Sequence, residues 1–341
     1  MSGSGGWWAP AVSTPLDATP ARRPGSLRRT MHVDVGVRSS WADPLPMSGA
    51  ARDIRSGDGD PDEVTVLAEA ALTASFDVGR RLVEVETTPP ATWATELVGA
   101  RAGGGFRRRI DDVMPPEEAG SLLRLVLDDL PAGALISGYA LLRLARRAGH
   151  DPATLTPADA LARMTDICSG WRAGGAAATG VAAGRGVPIQ DCPPAPDLVA
   201  GDPAGWHAME PLPPDGMRRR RCLDVWLEDA EDPAGRFAVW AMFRDTVGEP
   251  GGGEAVLHEY QVEVEGEGDV VRAVRADPRV LPFPECPGAA AEVHRLAGVP
   301  LAAFSDSVPE ILVGTLCCTH LNDLLRALGG AAGLFELARR N

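Results

Sequence analysis

Lysine is absent from this chain. All 33 basic residues are arginines, and they face 47 aspartates and glutamates, which gives a formal net charge of −14. Without lysine there is no Schiff-base amine, no lysine of a phosphate-binding loop and no serine–lysine dyad. The acidic balance also argues against a general nucleic-acid-binding protein, because such proteins present a basic surface to the phosphate backbone. The sequence therefore predicts no nucleic-acid partner.

Long apolar runs are missing as well. No run approaches the roughly 20 residues that a membrane-spanning helix needs, and the first residues lack the charged and apolar regions of a signal peptide. We therefore expect a cytoplasmic protein with no membrane partner. Six cysteines in 341 residues are too few for a dense disulfide framework. In a reducing cytoplasm we expect them to be free, catalytic or metal-bound.

The composition changes along the chain and divides it into four parts. Residues 1–28 are rich in Gly, Ser, Pro and Arg without periodicity, which predicts a disordered leader. Residues 29–145 and 219–341 each show alternating strand patterns followed by helical periodicity. Residues 146–218 are rich in Gly, Ala and Pro and predict a helical, loop-rich insertion that ends in a linker. The arginine run at 218–221 indicates a solvated linker, with an acidic ligand or an interdomain contact as alternatives.

The two halves repeat the same order of strands and helices, which predicts an internal duplication. Short stretches match in collinear order: 51–53 with 243–245, 66–69 with 256–259, and 127–130 with 321–324. We therefore expect an α+β fold of two similar, duplicated halves, each an antiparallel sheet with helices, joined by the loop-rich insertion. The alternative is two unrelated α+β domains with a similar rhythm of strands.

Side chains that can bind a metal distinguish the second half from the first. The first half lacks them at the matching positions, so we expect it to be a degenerate copy. The candidate ligands are His258, Cys286, Cys318 and His320. Thiolate and imidazole are preferred ligands of zinc and of other borderline metals such as iron. His258 lies in a predicted strand, Cys286 lies at a turn between two prolines, and the other two flank the predicted N-cap of a helix. The pattern predicts a zinc or iron site.

Three alternatives to this metal site stay open. Cys318 at a helix N-terminus could be a nucleophile, with a histidine as base and no metal. Cys286 and Cys318 could instead be the thiolate ligands of a non-enzymatic iron–sulfur or persulfide carrier. The same residues could also be small core side chains, since free cysteine is among the most buried residue types.

Three short motifs resemble one bacterial family, the domain-of-unknown-function family 2889. They are His258-Glu259-Tyr260, Glu285-Cys286-Pro287 and the run Cys318-Thr319-His320-Leu321-Asn322-Asp323. Shorter family members are similar to residues 221–338, and the longer actinobacterial type is similar to residues 28–145 as well. This chain departs from the family pattern at Cys317, where a glycine usually stands. The family has no known activity, so the resemblance implies no reaction.

The sequence thus predicts a cytoplasmic metal-binding protein, or a metalloenzyme that acts on a small molecule. Whether the protein is an enzyme stays open. If it is, three side chains would hold the metal and the fourth position would activate water or polarise a substrate oxygen. Glu259 and Glu285 are the candidate acid–base residues.

Overall fold

The computed structural model describes residues 12–38, 40, 42–156, 159–189, 191–228 and 234–340. The described part contains one antiparallel sheet of nine strands. The strands are β1 (Val12–Ser13), β2 (Leu27–Val35), β3 (Leu45–Ser56), β4 (Val64–Phe76), β5 (Leu82–Thr88), β6 (Met217–Leu227), β7 (Arg236–Gly248), β8 (Glu254–Glu267) and β9 (Val270–Leu281).

The helices lie between β5 and β6 and after β9. They are α1 (Phe106–Val113), α2 (Leu122–Arg147), α3 (Pro152–Leu155), α4 (Ala160–Met164), α5 (Ala176–Ala182), α6 (Gly288–Glu292), α7 (Phe304–Ile311), α8 (Thr319–Ala327) and α9 (Ala331–Arg340). Several short 3-10 turns connect them. None of the helices in the described residues is long and apolar enough to cross a membrane.

The strand order is β1-β9-β8-β7-β6-β2-β3-β4-β5. Strands β2–β5 form one meander and β6–β9 form another, and the two join where β2 pairs antiparallel with β6. The predicted α+β class is confirmed. The two halves share one continuous sheet, because β2 and β6, the first strands of the two meanders, are neighbours in it.

Helices cover one face of this sheet. Helix α2 packs on strands of the first half, and α8 and α9 contact strands of the second. Two buried apolar clusters lie beneath them, one around Val126 and Leu130 and one around Tyr260 and Leu324. The opposite face is partly covered by segments outside the two meanders. There Leu198 and Trp206 pack against Trp240.

Salt bridges between β2 and β6 repeat at a spacing of 190 residues. Arg28 makes a bidentate bond to Asp224, and Arg218 makes one to Asp34. Arg218 lies 190 positions after Arg28, and Asp224 lies 190 positions after Asp34, so exchange of the two halves converts one pair into the other.

A register shift also recurs in both meanders. It falls after Asp53 where β3 pairs with β4, and after Asp245 where β7 pairs with β8. Asp53 is paired with Ala68, and Asp245 is paired with His258. The two halves therefore share strand order, register and the position of a bulge.

The arginine run at 218–221 is part of β6, not a solvated linker. Arg218, Arg219 and Arg221 are buried, and their guanidinium groups are paired with carboxylates. Charge density in the sequence suggests solvent exposure, but here ion pairing compensates the cost of burying each guanidinium.

The predicted disordered leader is also corrected where the structure describes it. Residues 12–28 contain β1 and the start of β2, and Arg22 is buried against Asp202 at 2.8 Å. The insertion supplies Asp202, which is ion-paired with both Arg22 and Arg28 of this segment. Residues 1–11 lie outside the described residues. The other predicted domain boundaries stay predictions.

Candidate metal centre

Strands β7 and β8 bring Asp245 and His258 together. The two residues are paired in the antiparallel register, directly before the shift in that register. Their side chains point to the helix-covered face, where His258 Nδ1 lies 3.3 Å from Asp245 Oδ2. Both side chains are almost completely buried. Bulges often lie beside functional sites because they redirect a side chain.

Helix α8 supplies the third member, His320. Leu321, Leu324 and Leu325 bury one face of this helix against the sheet, as the i, i+3, i+4 spacing predicts. His320 is the second helical residue, and its ring stacks on that of His258 with centroids 4.0 Å apart. It is the least buried member of the group, because Asp245 and His258 are buried and His320 is intermediate.

These three side chains form a possible metal-binding group. In the part of the chain that the structure describes, Asp245, His258 and His320 each offer a ligand atom, and these atoms lie within 4.8 Å of one another. Two imidazoles and one carboxylate are a donor set found at zinc and non-haem iron centres.

The electrostatics keep the donors in forms that can bind a metal. Burial alone would raise the pKa of Asp245, but the Arg219 guanidinium and, to a smaller extent, His258 together outweigh burial and hold that pKa below its usual range. Burial lowers the pKa of His320 well below its ordinary value, and the neighbouring His258 adds to this effect. Near pH 7 the carboxylate is therefore ionised and the His320 imidazole is neutral, as metal ligation requires.

A chain of buried charges continues from Asp245 into the first half. Arg219 bonds both Asp245 oxygens and also Asp323. Asp323 in turn bonds Arg221, which reaches Asp129 of helix α2 at 2.5 Å. Burial raises the pKa of Asp129 to about 6, although Arg221 opposes that shift. The site is thus supported by residues of both halves.

The predicted cysteine ligands lie at the margin of this group or outside it. Cys318 Sγ is 3.9 Å from His320 Nδ1. Cys286 lies beside Gly170. A Cβ added to Gly170 would lie 2.7 Å from the sulfur of Cys286. Tyr260 donates a hydrogen bond to the Cys286 carbonyl at 3.1 Å. Of the four predicted ligands, the group of ligand atoms within 4.8 Å of one another contains the two histidines and neither cysteine.

Both thiols are poor nucleophiles in this environment. Burial raises the pKa of Cys318 to about 11 and that of Cys286 well above its usual value. Each is therefore a neutral thiol near pH 7. A nucleophilic cysteine at a helix N-terminus requires the opposite shift, so the structure does not favour the metal-free cysteine enzyme.

The two predicted acid–base residues have other partners. Glu259 lies on the opposite face of the sheet from His258, where it is fully buried and ion-paired with Arg244. Glu285 accepts a hydrogen bond from the backbone amide of Ala176 at 3.0 Å, at the start of α5. Neither belongs to the group formed by Asp245 and the two histidines.

Asp245 and Arg219 are the members that the sequence pattern does not identify. Asp245 is conspicuous in the sequence only through its match with Asp53, and Arg219 only as part of an arginine run. The strand pairing gives a stronger indication. Asp53 faces Ala68 across the ladder, whereas Asp245 faces His258 at the equivalent position. That relationship needs the strand register, which the sequence does not show.

In the described residues the fold is α+β with one antiparallel sheet, and Asp245 and His258 of this sheet meet His320 of α8 to form an Asp–His–His group. The model of a family described as "Protein of unknown function (DUF2889)" matches residues 217–333. The predicted resemblance is confirmed for this segment, which contains all three residues of the group. The resemblance of residues 28–145 stays a prediction. No curated protein and no solved structure matches the chain.

Proposed function

We propose that this protein binds a divalent transition metal, zinc or iron, through Asp245, His258 and His320. The observation that carries the proposal is the convergence of these three donors from β7, β8 and α8 within 4.8 Å. One carboxylate and two imidazoles leave coordination positions for water or a substrate. Cys318 is the next available donor, with its sulfur 3.9 Å from His320 Nδ1.

As an enzyme, the protein would use the metal as a Lewis acid toward a small molecule. A bound metal lowers the pKa of a coordinated water and polarises carbonyl or phosphoryl oxygens. His320 is the least buried of the three donors, so a small molecule would approach from the side of α8. We keep the cytoplasm as its proposed location. A non-enzymatic iron–sulfur or persulfide carrier is less well supported, because Cys286 and Cys318 are buried, neutral thiols.

We also infer that the two halves arose by duplication and that the second half retained the metal site. The shared strand order, the shared bulge and the matched salt bridges support this inference. At the positions of the two histidines the first half has Ala68 and, by sequence alignment, Val126. Neither side chain can bind a metal.

Metal analysis of the purified full-length protein tests the proposed function. We expect about one equivalent of zinc or iron, and its loss in His320→Ala. The matched control is His294→Ala, an exposed histidine of the same half, which should retain the metal. Wild-type protein that binds neither zinc nor iron after reloading would refute the proposal, and so would full occupancy in His320→Ala.

A further inference from the structure

Arg219 is a buried arginine that lies next to the proposed metal centre. Its Nε lies 2.7 Å from Asp245 Oδ1, and its Nη2 lies 3.0 Å from Asp245 Oδ2. The side chains of both residues are almost completely buried. A two-point bond of this kind fixes the plane of a carboxylate as well as its charge. Arg219 therefore restricts the orientation in which Asp245 can face His258.

The guanidinium of Arg219 is itself held from several sides. Its Nη1 bonds Asp323 Oδ2 at 2.6 Å, and Arg221 bonds the same oxygen at 2.8 Å. The guanidinium carbon also lies 5.2 Å from the centre of the Phe243 ring. The ring of His320 stacks on the same Phe243 ring, with centroids 6.1 Å apart. Arg219 thus contacts the carboxylate directly and reaches one of the imidazoles through Phe243.

We propose that Arg219 is the positioning residue of the metal centre, and that Asp323 and Arg221 hold it in place. Arg219 does not contact the metal in this arrangement. It orients Asp245 for coordination, and it balances the carboxylate charge in a buried site. Groups that orient metal ligands in this way commonly change metal affinity by 10- to 100-fold when they are removed. This inference rests on the proposed metal site.

The first half contains the same salt bridge without the site. Arg29 bonds both oxygens of Asp53 at 2.7 Å, and these side chains are nearly as buried as the pair in the second half. Ala68 occupies the ladder position of His258, so no metal can be held there. Removal of Arg29 is therefore a matched control for the loss of a buried arginine from this sheet.

Cobalt(II) titration of the full-length protein tests the role of Arg219, because the visible spectrum of bound cobalt reports its coordination geometry. We expect Arg219→Gln to weaken cobalt binding by roughly 10- to 100-fold and to alter the spectrum. Arg219→Lys should restore part of the affinity, because the ammonium keeps the charge but loses the two-point geometry. Arg29→Gln should bind cobalt with wild-type affinity and spectrum.

The outcomes separate this inference from the proposed function. A wild-type protein that binds no cobalt refutes the metal site itself. Wild-type binding with an unchanged affinity and spectrum in Arg219→Gln overturns only the role of Arg219, and so does an equal loss of affinity in Arg29→Gln. If Arg219→Gln does not fold, Asp323→Asn decides: several-fold weaker binding with an altered spectrum supports the role, and wild-type binding overturns it.

Discussion

His258 and Glu259 are neighbours in the chain but belong to different parts of the molecule. Successive side chains of a strand point to opposite faces of the sheet, so His258 faces the helices and Glu259 faces the other side. There Glu259 pairs with Arg244 and accepts a hydrogen bond from the amide of Leu16 at 2.6 Å. Burial raises the pKa of Glu259, and Arg244 opposes that shift. These contacts indicate a structural carboxylate.

Replacement of Glu259 should therefore affect stability and leave metal binding unchanged. We expect Glu259→Gln to lower the free energy of unfolding by about 3 kcal/mol, because Arg244 would remain buried without its counter-charge. Urea unfolding measures this change, and cobalt titration of the folded variant measures metal affinity. Glu263→Gln makes the same change at an exposed position of β8 and should alter stability by less than about 0.5 kcal/mol.

A catalytic role for Glu259 would produce the opposite pattern. The variant would then keep wild-type stability and lose activity or metal affinity. That result would place the functional site on the face of the sheet that carries Arg244, and it would contradict a structural role for Glu259.

At the scale of elements, the alternating strands were the more predictable part of the fold. Alternating apolar residues predict a strand at Val64–Phe76, and this strand coincides with β4. The same pattern predicts a strand at 255–264, which lies within β8. The sequence pattern predicts no strand at the position of β3, because Pro46, Gly49 and Asp53 interrupt its apolar residues. The start of β6 is missed because arginines occupy it. Each strand contains a buried charge held in a salt bridge, Asp53 with Arg29 in β3 and Arg219 with Asp245 in β6. A hydrophobicity pattern cannot reveal such pairs.

The packing of α2 on β3 depends on a glycine. A Cβ added to Gly49 would lie 2.6 Å from Val126 Cγ1 and 3.0 Å from the His32 carbonyl oxygen. We expect Gly49→Ala to lower the free energy of unfolding by about 1–3 kcal/mol, because the helix must move away from the sheet. Thermal and urea unfolding measure the change. Adding Val126→Ala should recover part of the loss, since it removes the nearer clash.

Gly138→Ala is the control for this experiment. Gly138 lies in the same helix, and an added Cβ would meet nothing within 4 Å. Alanine there should be neutral or stabilising by up to about 1 kcal/mol, from its higher helix propensity. Equal destabilisation by both substitutions would show that α2 does not pack against Gly49 as described.

At the scale of the whole molecule, the first half meets the insertion at a buried pair of histidines, His32 and His207. On the face opposite the helices, His207 Nδ1 lies 2.7 Å from Thr30 Oγ1. The other ring nitrogen of His207, Nε2, lies 2.6 Å from His32 Nδ1. Burial lowers the pKa of each histidine to about 3, and the nearby Arg218 adds to the effect for both. Arg220 adds to it for His32.

This pair should make the fold sensitive to acid. The unfolded chain binds protons at these histidines below about pH 6.5, whereas the folded protein does not until about pH 3. The free energy of unfolding should therefore fall as the pH falls below 6.5, by about 1.4 kcal/mol per pH unit for each histidine. Urea unfolding at several pH values between 6.5 and 5 measures this slope.

Removal of both histidines should flatten that dependence. We expect the double variant His32→Leu with His207→Leu to show a smaller loss of stability between pH 6.5 and 5. The same substitution at exposed His294 should leave the wild-type slope. An unchanged slope in the double variant would mean that these imidazoles take up protons in the folded protein.

The sequence alone determined the class of the fold and the region of the site. Strand alternation, helical periodicity and the offset between the halves depend on neighbouring residues, so they can be read without the structure. His258 and His320 stand out in the same way, because their chemistry differs from that of their counterparts Ala68 and Val126.

Only the tertiary structure decided which donors meet. Strand register pairs Asp245 with His258, and the docking of α8 adds His320, whereas neither Cys286 nor Cys318 belongs to this group. It also decided that the arginines of β6 are buried, because their carboxylate partners come from distant parts of the chain. Contacts between residues far apart in sequence leave no local pattern, and such contacts determine both the metal donors and the charges around them.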